Sequence, residues 1–244
     1  MSGEKITKPS KGYDKRYDKR YDKRYDKRYD KRYDKRYNKK NLHIDQKNTL
    51  IIIDWDDTLY PTSWIVENNI DLTDPNSRYK YMKHFEYLDT QLSMMLNLMK
   101  TLGEIVIITN AMTVWVDLSV SVLPKTKKSL QGIEVISARE KYQNKAKMAE
   151  WKTHTFLEEI TKRSKYQHYQ NIISLGDAEY EYNALLNLYN SQNLPHKYLK
   201  SIKFIRSFDY MTVVEQINLI YQNISELCLA HRHIDLMFEQ TKNN

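Results

Sequence analysis

The chain has a single cysteine, Cys228, which excludes an intramolecular disulfide and any zinc site built from several thiolates. It also lacks an uninterrupted apolar run of about eighteen residues, the length that membrane-spanning helices need. The N-terminal segment MSGEKITKPS has no apolar core of the kind found in signal peptides. We therefore expect an intracellular protein, cytoplasmic or nuclear, that is neither secreted nor bound to a membrane.

Positive charge is confined to one end of the chain. The whole sequence carries 39 Lys or Arg and 31 Asp or Glu, a formal balance of +8. Residues 1–48 hold 18 of the basic and 8 of the acidic side chains, a balance of +10, which leaves residues 49–244 at −2. Any attraction to a polyanion should therefore come from the N-terminal tail alone.

The tail is built on a four-residue repeat. YDKR occurs six times in succession from Tyr13, and YNKK ends the series at Lys40. A unit this short cannot bury an apolar face, so we expect residues 1–47 to form a disordered, low-complexity tail. Three interpretations remain open for its function. In the first, the repeat is an expansion without a function. In the second, its tyrosines stack on bases while Lys-Arg pairs bind phosphates weakly. In the third, the dibasic pairs are processing sites.

From residue 48 to residue 244 the pattern alternates between strand and helix. Apolar, largely β-branched runs predict strands at 49–53, 104–109, 133–136, 171–175 and 201–205. Helical patterns are predicted at 77–102, 114–122, 145–163, 179–189 and 211–229, the last being the start of a helical extension over 211–244. This alternation predicts an α/β fold, in which helices cover both faces of a parallel sheet and ligands bind beyond the carboxyl ends of the strands.

Acidic and small polar residues stand at three of those strand ends. Asp54 and Asp56 follow the first strand, Thr109 and Asn110 lie at the end of the second, and Asp177 follows the fourth. Carboxylates crowded at an apolar sheet edge repel one another. A divalent cation or a shared proton is therefore expected between them.

This arrangement resembles the haloacid dehalogenase-like (HAD-like) hydrolase superfamily, and within it a capless, uncharacterised phosphatase branch. Three of the four family motifs are matched in order by Asp54-x-Asp56-x-Thr58, Thr109 and Gly176-Asp177-x-x-x-Glu181. The resemblance spans about residues 48–208 and implies a Rossmannoid three-layer sandwich around a central parallel sheet. The resemblance to this branch does not indicate a substrate.

The remaining motif is a lysine on the helix before the fourth strand. Lys145, Lys147 and Lys152 are the candidates. At the helical repeat, Lys152 falls on the apolar stripe with Phe156 and Ile160, whereas Lys147 falls on the opposite face. Lys145 shares the stripe but lies about 10 Å further towards the N-terminus. An inward lysine needs a negatively charged partner, which the carboxylate cluster would supply, so we select Lys152.

The same argument separates the two glutamates after Asp177. Glu181 is in phase with Leu185 and Leu188, while Glu179 points elsewhere on the helix. We expect Glu181 to face inward and assist the metal, directly or through water. Glu179 should be solvated.

The resemblance implies a phosphomonoesterase that works through an aspartyl-phosphate intermediate. Asp54 would be the nucleophile, and Asp56 would protonate the leaving oxygen and then activate water. Thr109 and Lys152 would hold the phosphoryl oxygens, and Asn110 would help to orient the substrate. Mg²⁺ is the implied cofactor. Its expected ligands are Asp54, the backbone carbonyl of Asp56 and Asp177, with Glu181 in support.

The sequence leaves little room for a cap domain over this site. Residues 60–76 are predicted to be a short loop, since Pro61 and Pro75 bracket it. An open site would suit a macromolecular substrate such as a phosphoprotein or a nucleic-acid end. Tyr60, Trp64 and Trp115 would either line the entrance or pack into the core.

Two other functions remain open. One is a non-catalytic HAD-like scaffold whose basic tail binds RNA or protein. The other is a receiver-like phosphoacceptor, which the sequence disfavours because receivers carry the acceptor aspartate after the third strand, where Ser137 stands here.

Overall fold

A six-stranded parallel sheet forms the centre of the computed structural model, which describes residues 44–190 and 197–238. The strands are β1 (Thr49–Ile53), β2 (Glu104–Thr109), β3 (Glu134–Ser137), β4 (Asn171–Gly176), β5 (Tyr198–Lys203) and β6 (Ile234–Met237). Their order across the sheet, β3-β2-β1-β4-β5-β6, is that of a Rossmann-type fold. The predictions made for residues 1–43 and 239–244 lie outside the described residues.

Helices connect the strands and cover the sheet. They are α1 (Thr62–Glu67), α2 (Pro75–Lys80), α3 (Met82–Leu102), α4 (Thr113–Val120), α5 (Pro124–Ser129), α6 (Ala138–Tyr142), α7 (Met148–Ser164), α8 (Glu179–Asn190) and α9 (Tyr210–Leu229). A core including α3 and α9 forms on one sheet face, and a second core including α7 and α8 on the other. The predicted three-layer α/β fold is thus confirmed. Within the described ranges, no helix combines the length and apolarity needed to cross a membrane.

Strand β1 shows why the sheet needs cover on both faces. Ile51 and Ile53 pack into the core beneath α3 and α9, while Leu50 and Ile52 pack into the core beneath α7 and α8. All four side chains are buried. Burying each contributes about 1.5–3 kcal/mol, and an apolar strand with two buried faces is typical of parallel sheets.

The chain after α9 departs from the prediction. A helical extension was expected over residues 211–244, but the helix ends at Leu229 and β6 follows. Ala230, the C-cap residue, has an extended backbone, and Lys200 of β5 is in register with Ile234 of β6. Without this strand the edge of β5 would present unpaired backbone groups, so pairing outweighs the helical preference of a short apolar run.

Two further predicted helices are interrupted. The helix expected over 77–102 divides at Tyr81 into α2 and α3. The helix expected over 145–163 begins at Met148, with Lys147 as its N-cap residue, while α6 forms separately upstream. The predicted loop over 60–76 contains the six-residue helix α1 and the first two residues of α2.

Asp89 on α3 provides the N-terminal cap that α5 lacks in its own sequence. Its carboxylate accepts hydrogen bonds from the backbone N–H groups of Lys125 (2.9 Å) and Thr126 (2.6 Å). Asp89→Ala should lower the free energy of unfolding by about 1–3 kcal/mol because one buried donor and one part-buried donor lose their acceptor. Urea denaturation measures this. Asp117→Ala, which removes an exposed acid on α4, should change stability by less than about 0.5 kcal/mol; equal losses would contradict the capping role.

Candidate active site

Three neighbouring strands bring the candidate residues to one edge of the sheet. Asp54 directly follows β1, and its N–H donates to the carbonyl of Leu175 in β4 at 2.9 Å. Thr109 ends β2 and Asp177 directly follows β4. Since β1 lies between β2 and β4, these side chains share the carboxyl edge of the sheet, which is where such folds bind ligands.

Lys152 of α7 points into this edge, as its helical phase predicts. Its side chain is 2% exposed, its Nζ lies 2.6 Å from Oδ1 of Asp54, and it also forms an ion pair with Glu181. Burial alone would lower the pKa of Lys152, but the negative charges of Asp54 and Glu181 outweigh burial and raise that pKa. Lys152 therefore carries a positive charge at neutral pH. The alternative candidates, Lys145 and Lys147, are exposed and precede the body of α7.

Glu181 is buried in the first turn of α8. One of its oxygens binds Lys152, and the other accepts the N–H of Ala178 at 3.2 Å. Gly176 makes this position possible, since a Cβ there would lie 2.3 Å from Cγ of Glu181. Glu179 is exposed, as predicted, and forms an ion pair with Lys203.

Asp56 is held through one of its two oxygens. Oδ1 accepts a hydrogen bond from the Thr62 hydroxyl at 2.5 Å and another from Nε1 of Trp115 at 2.9 Å. Burial raises the pKa of Asp56, with the charges of Asp54 and Asp57 acting in the same direction, while the two hydrogen bonds oppose them. With Oδ1 occupied by two donors, Oδ2 is the oxygen available to carry a proton.

Asp57 anchors the turn that carries these acids. Its backbone is left-handed, with φ of 54°, a conformation that Asp tolerates better than most residues. Its carboxylate accepts hydrogen bonds from the N–H (2.7 Å) and the hydroxyl (2.5 Å) of Ser63 at the start of α1. Burial raises the pKa of Asp57, and the nearby positive charge of Arg206 opposes that rise.

Thr109 and Asn110 differ in their hydrogen bonding. Thr109 is fully buried, and its hydroxyl oxygen accepts the N–H of Ala111 at 3.0 Å, so its hydrogen remains free to donate. The side-chain oxygen of Asn110 is buried and has no hydrogen-bond partner among the described residues. Such an atom normally gains a partner from water or ligand.

The aromatic residues near the turn do not line an entrance. Tyr60 and Trp64 are buried, and Trp115 is partly buried, with its ring edge-on to Tyr60 at 6.1 Å. Trp115 instead contacts Asp56, a role that the sequence analysis missed. No local signal could have found it, because 59 positions separate the two residues.

The carboxylates fit a divalent cation. Asp54, Asp177 and Glu181 each offer an oxygen within 4.8 Å of the others, and all three side chains are largely buried. Against these three carboxylates stand the buried Lys152 and the largely exposed Arg206, 4.0 Å from Asp177, so the buried cluster is short of positive charge. Burial and the charges of Asp54 and Glu181 raise the pKa of Asp177 to about 8. Hard carboxylate oxygens of this kind are the ligands that Mg²⁺ prefers.

No protein-family model matches the sequence, and no curated protein matches it significantly. Among solved structures, it is similar to a HAD family hydrolase from Deinococcus radiodurans R1 that has phosphate and sodium bound. The two are 10% identical, the match covers 76% of this chain and 99% of the other, and the TM-score is 0.36. A similarity this low carries no information about the site or its activity.

Proposed function

We propose that the protein is a Mg²⁺-dependent phosphomonoesterase of the HAD-like type. The observation that supports this best is the buried carboxylate of Asp54, 2.6 Å from the ammonium of Lys152 and beside the carboxylates of Asp177 and Glu181. A buried carboxylate that is held in place by an ammonium can act as a nucleophile. The neighbouring acids suit a cation that would draw a phosphate towards it.

Asp54 attacks the phosphorus, so that an O–P bond to Asp54 forms as the bond to the leaving oxygen breaks. Asp56 gives its Oδ2 proton to that leaving oxygen, then removes a proton from the water that hydrolyses the aspartyl-phosphate. Thr109 donates its hydroxyl hydrogen to a phosphoryl oxygen, and the charge on Lys152 stabilises the negative charge that builds up there. Asn110 contacts the substrate.

Asp54, Asp177 and the backbone carbonyl of Asp56 would hold Mg²⁺. When bound, the ion would neutralise the carboxylate cluster and polarise the phosphoryl group. Glu181 has a donor on each of its oxygens, so it serves this centre chiefly by fixing Lys152 and by adding negative charge.

Hydrolysis of p-nitrophenyl phosphate with and without Mg²⁺ tests the proposal. Wild type should turn over with Mg²⁺ and stop with EDTA, and Asp54→Asn should lose about a thousandfold or more in kcat because the nucleophile is gone. Glu179→Gln, which changes an exposed acid near Asp177, should stay within about twofold of wild type. If Asp54→Asn is as active as wild type, Asp54 is not the nucleophile. If deletion of residues 1–40 abolishes RNA binding while Asp54→Asn leaves cellular function intact, the scaffold interpretation, in which the basic tail binds RNA or protein, replaces the enzyme.

Trp115→Phe tests whether Asp56 acts as the acid. The change removes the Nε1 donor to Asp56 but keeps an aromatic ring beside Tyr60. An alkyl phosphate needs a proton on its leaving oxygen and should lose about 3- to 30-fold in kcat, whereas p-nitrophenyl phosphate, which leaves without one, should lose much less. Equal losses on both substrates would mean that Trp115 is only packing.

A further inference from the structure

A second group of side chains lies beside the carboxylate cluster, on the connection between β5 and α9. This connection continues along the carboxyl edge, because the N–H of Phe204 donates to the carbonyl of Gly176 at 2.8 Å. Nε of Arg206 lies 4.0 Å from Oδ2 of Asp177, and the Arg206 side chain is 70% exposed. Phe208, two residues on, is 63% exposed. The same short connection thus carries a cation next to the proposed phosphoryl site and, two residues further on, an exposed aromatic ring.

Hydrogen bonds on either side fix the backbone that carries them. Gln216 of α9 accepts the N–H of Ile205 at 2.6 Å and donates its Nε2 to the carbonyl of Ile205 at 3.1 Å. The buried hydroxyl of Ser207 accepts the N–H of Asp209 at 3.0 Å, and Asp209 in turn caps α9. Arg206 and Phe208 are therefore presented by a segment that is tied down at three points.

Stability alone does not account for this pair. An exposed ion pair at 4.0 Å contributes little to the fold. Phe208 is exposed and adds no ring to the core, whereas Phe204 of the same connection is buried in it. A single exposed phenylalanine needs no explanation. Its position two residues from a cation, on a connection that runs along the edge where a phosphate would bind, does point to a ligand.

We propose that Arg206 and Phe208 form a nucleotide subsite, which makes the substrate the terminal phosphate of a single-stranded nucleic acid. The guanidinium pairs with the phosphodiester next to the reacting end, and the Phe208 ring stacks on the adjacent base. This assignment rests on the proposed phosphatase function. A nucleic-acid end is a ligand that would use both side chains. A phosphopeptide offers neither a flat base nor an anion at a fixed position beside its phosphate.

The charge of the N-terminal tail, rather than that of residues 49–244, suits the same ligand. Residues 49–244 have a formal balance of −2, so they attract no polyanion through overall charge. Arg206 would be a local exception at the site. The N-terminal residues 1–48 carry +10, with tyrosine at every fourth position of the repeat, a composition that suits a nucleic acid.

The test compares full-length wild type with Arg206→Gln, Phe208→Ala and the double variant on four substrates. These are 5′- and 3′-phosphorylated oligothymidylates of about eight nucleotides, a phosphotyrosyl peptide and p-nitrophenyl phosphate. Relative to p-nitrophenyl phosphate, kcat/KM on one of the oligonucleotides should fall by about 5- to 100-fold in the double variant, mainly through KM. Phe208→Tyr should retain the preference because its ring still stacks. For Arg206→Gln, the slope of log kcat/KM on the oligonucleotide against the logarithm of the salt concentration should become shallower by about one, because one phosphate contact is lost.

Lys165 and Tyr166 provide the matched control. They are also a neighbouring cation and aromatic residue, both exposed, but they lie at the amino edge of the sheet, between α7 and β4. The double variant Lys165→Gln with Tyr166→Ala should leave the ratio of oligonucleotide to p-nitrophenyl phosphate hydrolysis at the wild-type value. A matching fall in this control would overturn the subsite.

Other outcomes separate the subsite from the enzyme. If wild type hydrolyses p-nitrophenyl phosphate but neither oligonucleotide, or prefers the phosphopeptide, the subsite is wrong and the phosphatase stands. If the Arg206 and Phe208 variants slow all four substrates equally, the subsite is also wrong. If wild type hydrolyses nothing, the phosphatase proposal fails. In that case the subsite is tested by binding alone. The double variant should raise the Kd for a phosphorylated oligonucleotide by about 5- to 100-fold, and an unchanged Kd would mean that the subsite is wrong as well.

Discussion

Lys152→Met should destabilise the metal-free protein by about 3–5 kcal/mol and abolish phosphatase activity. Methionine has a similar length but no charge, so Asp54 and Glu181 would be left buried without the ammonium that binds both. Urea denaturation in EDTA measures the stability, and p-nitrophenyl phosphate the activity. Addition of Mg²⁺ should recover part of the stability, because the ion would replace some of the lost positive charge.

Two comparisons make this result specific. Lys162→Met removes a lysine from the same helix, but that side chain is 57% exposed and its ion pairs are long, so stability should change by less than about 1 kcal/mol. Combining Lys152→Met with Glu181→Gln should restore stability in part, since one buried charge is removed with its partner, but it should not restore activity. A Lys152→Met protein as stable and active as wild type would contradict the charge balance described for the site.

Asp177→Asn should have opposite effects on the fold and on metal binding. The pKa of Asp177 is raised to about 8 from its ordinary 3.8, so the folded protein binds more protons than the unfolded chain between these values. Metal-free stability should therefore fall as pH rises from about 4 to 8, and asparagine, which never ionises, should raise the free energy of unfolding by about 1–3 kcal/mol near pH 8. The same substitution removes a proposed Mg²⁺ ligand and should end stabilisation by Mg²⁺.

Calorimetry of Mg²⁺ binding provides a second measure of that proton. Near pH 7, wild type should release up to one proton for each ion bound, because the cation binds the ionised form of Asp177. The number follows from titrations in two buffers with different enthalpies of ionisation. Asp117→Asn, which alters an exposed acid on α4, should reproduce wild type in both experiments. Proton release that persists in Asp177→Asn would assign the proton to another group.

The parts of the fold that the sequence predicted are those that depend on local periodicity. The five strands 49–53 to 201–205 were found because apolar runs of that length and composition form buried strands. The inward positions of Lys152 and Glu181 followed from helical spacing, which fixes the face on which a side chain lies. Neither inference needed knowledge of which segments meet in space.

The parts that were missed depend on contacts between distant segments or on backbone geometry. Strand β6 forms because β5 offers an open edge, which a helical pattern over 211–244 does not reveal. The hydrogen bond from Trp115 to Asp56 joins residues from two different connections of the sheet. The left-handed backbone of Asp57 could not be predicted, because the residues around it have the pattern of a simple acidic motif.

The position of β1 links the carboxylate of Asp54 to the most protected part of the described sheet. Asp54 follows a strand that has hydrogen-bonded neighbours on both sides and helical layers above and below. Local opening in proteins begins at frayed ends and sheet borders and reaches such a strand last. We therefore expect Asp54, the proposed nucleophile, to keep its place through partial opening at β6 or β3.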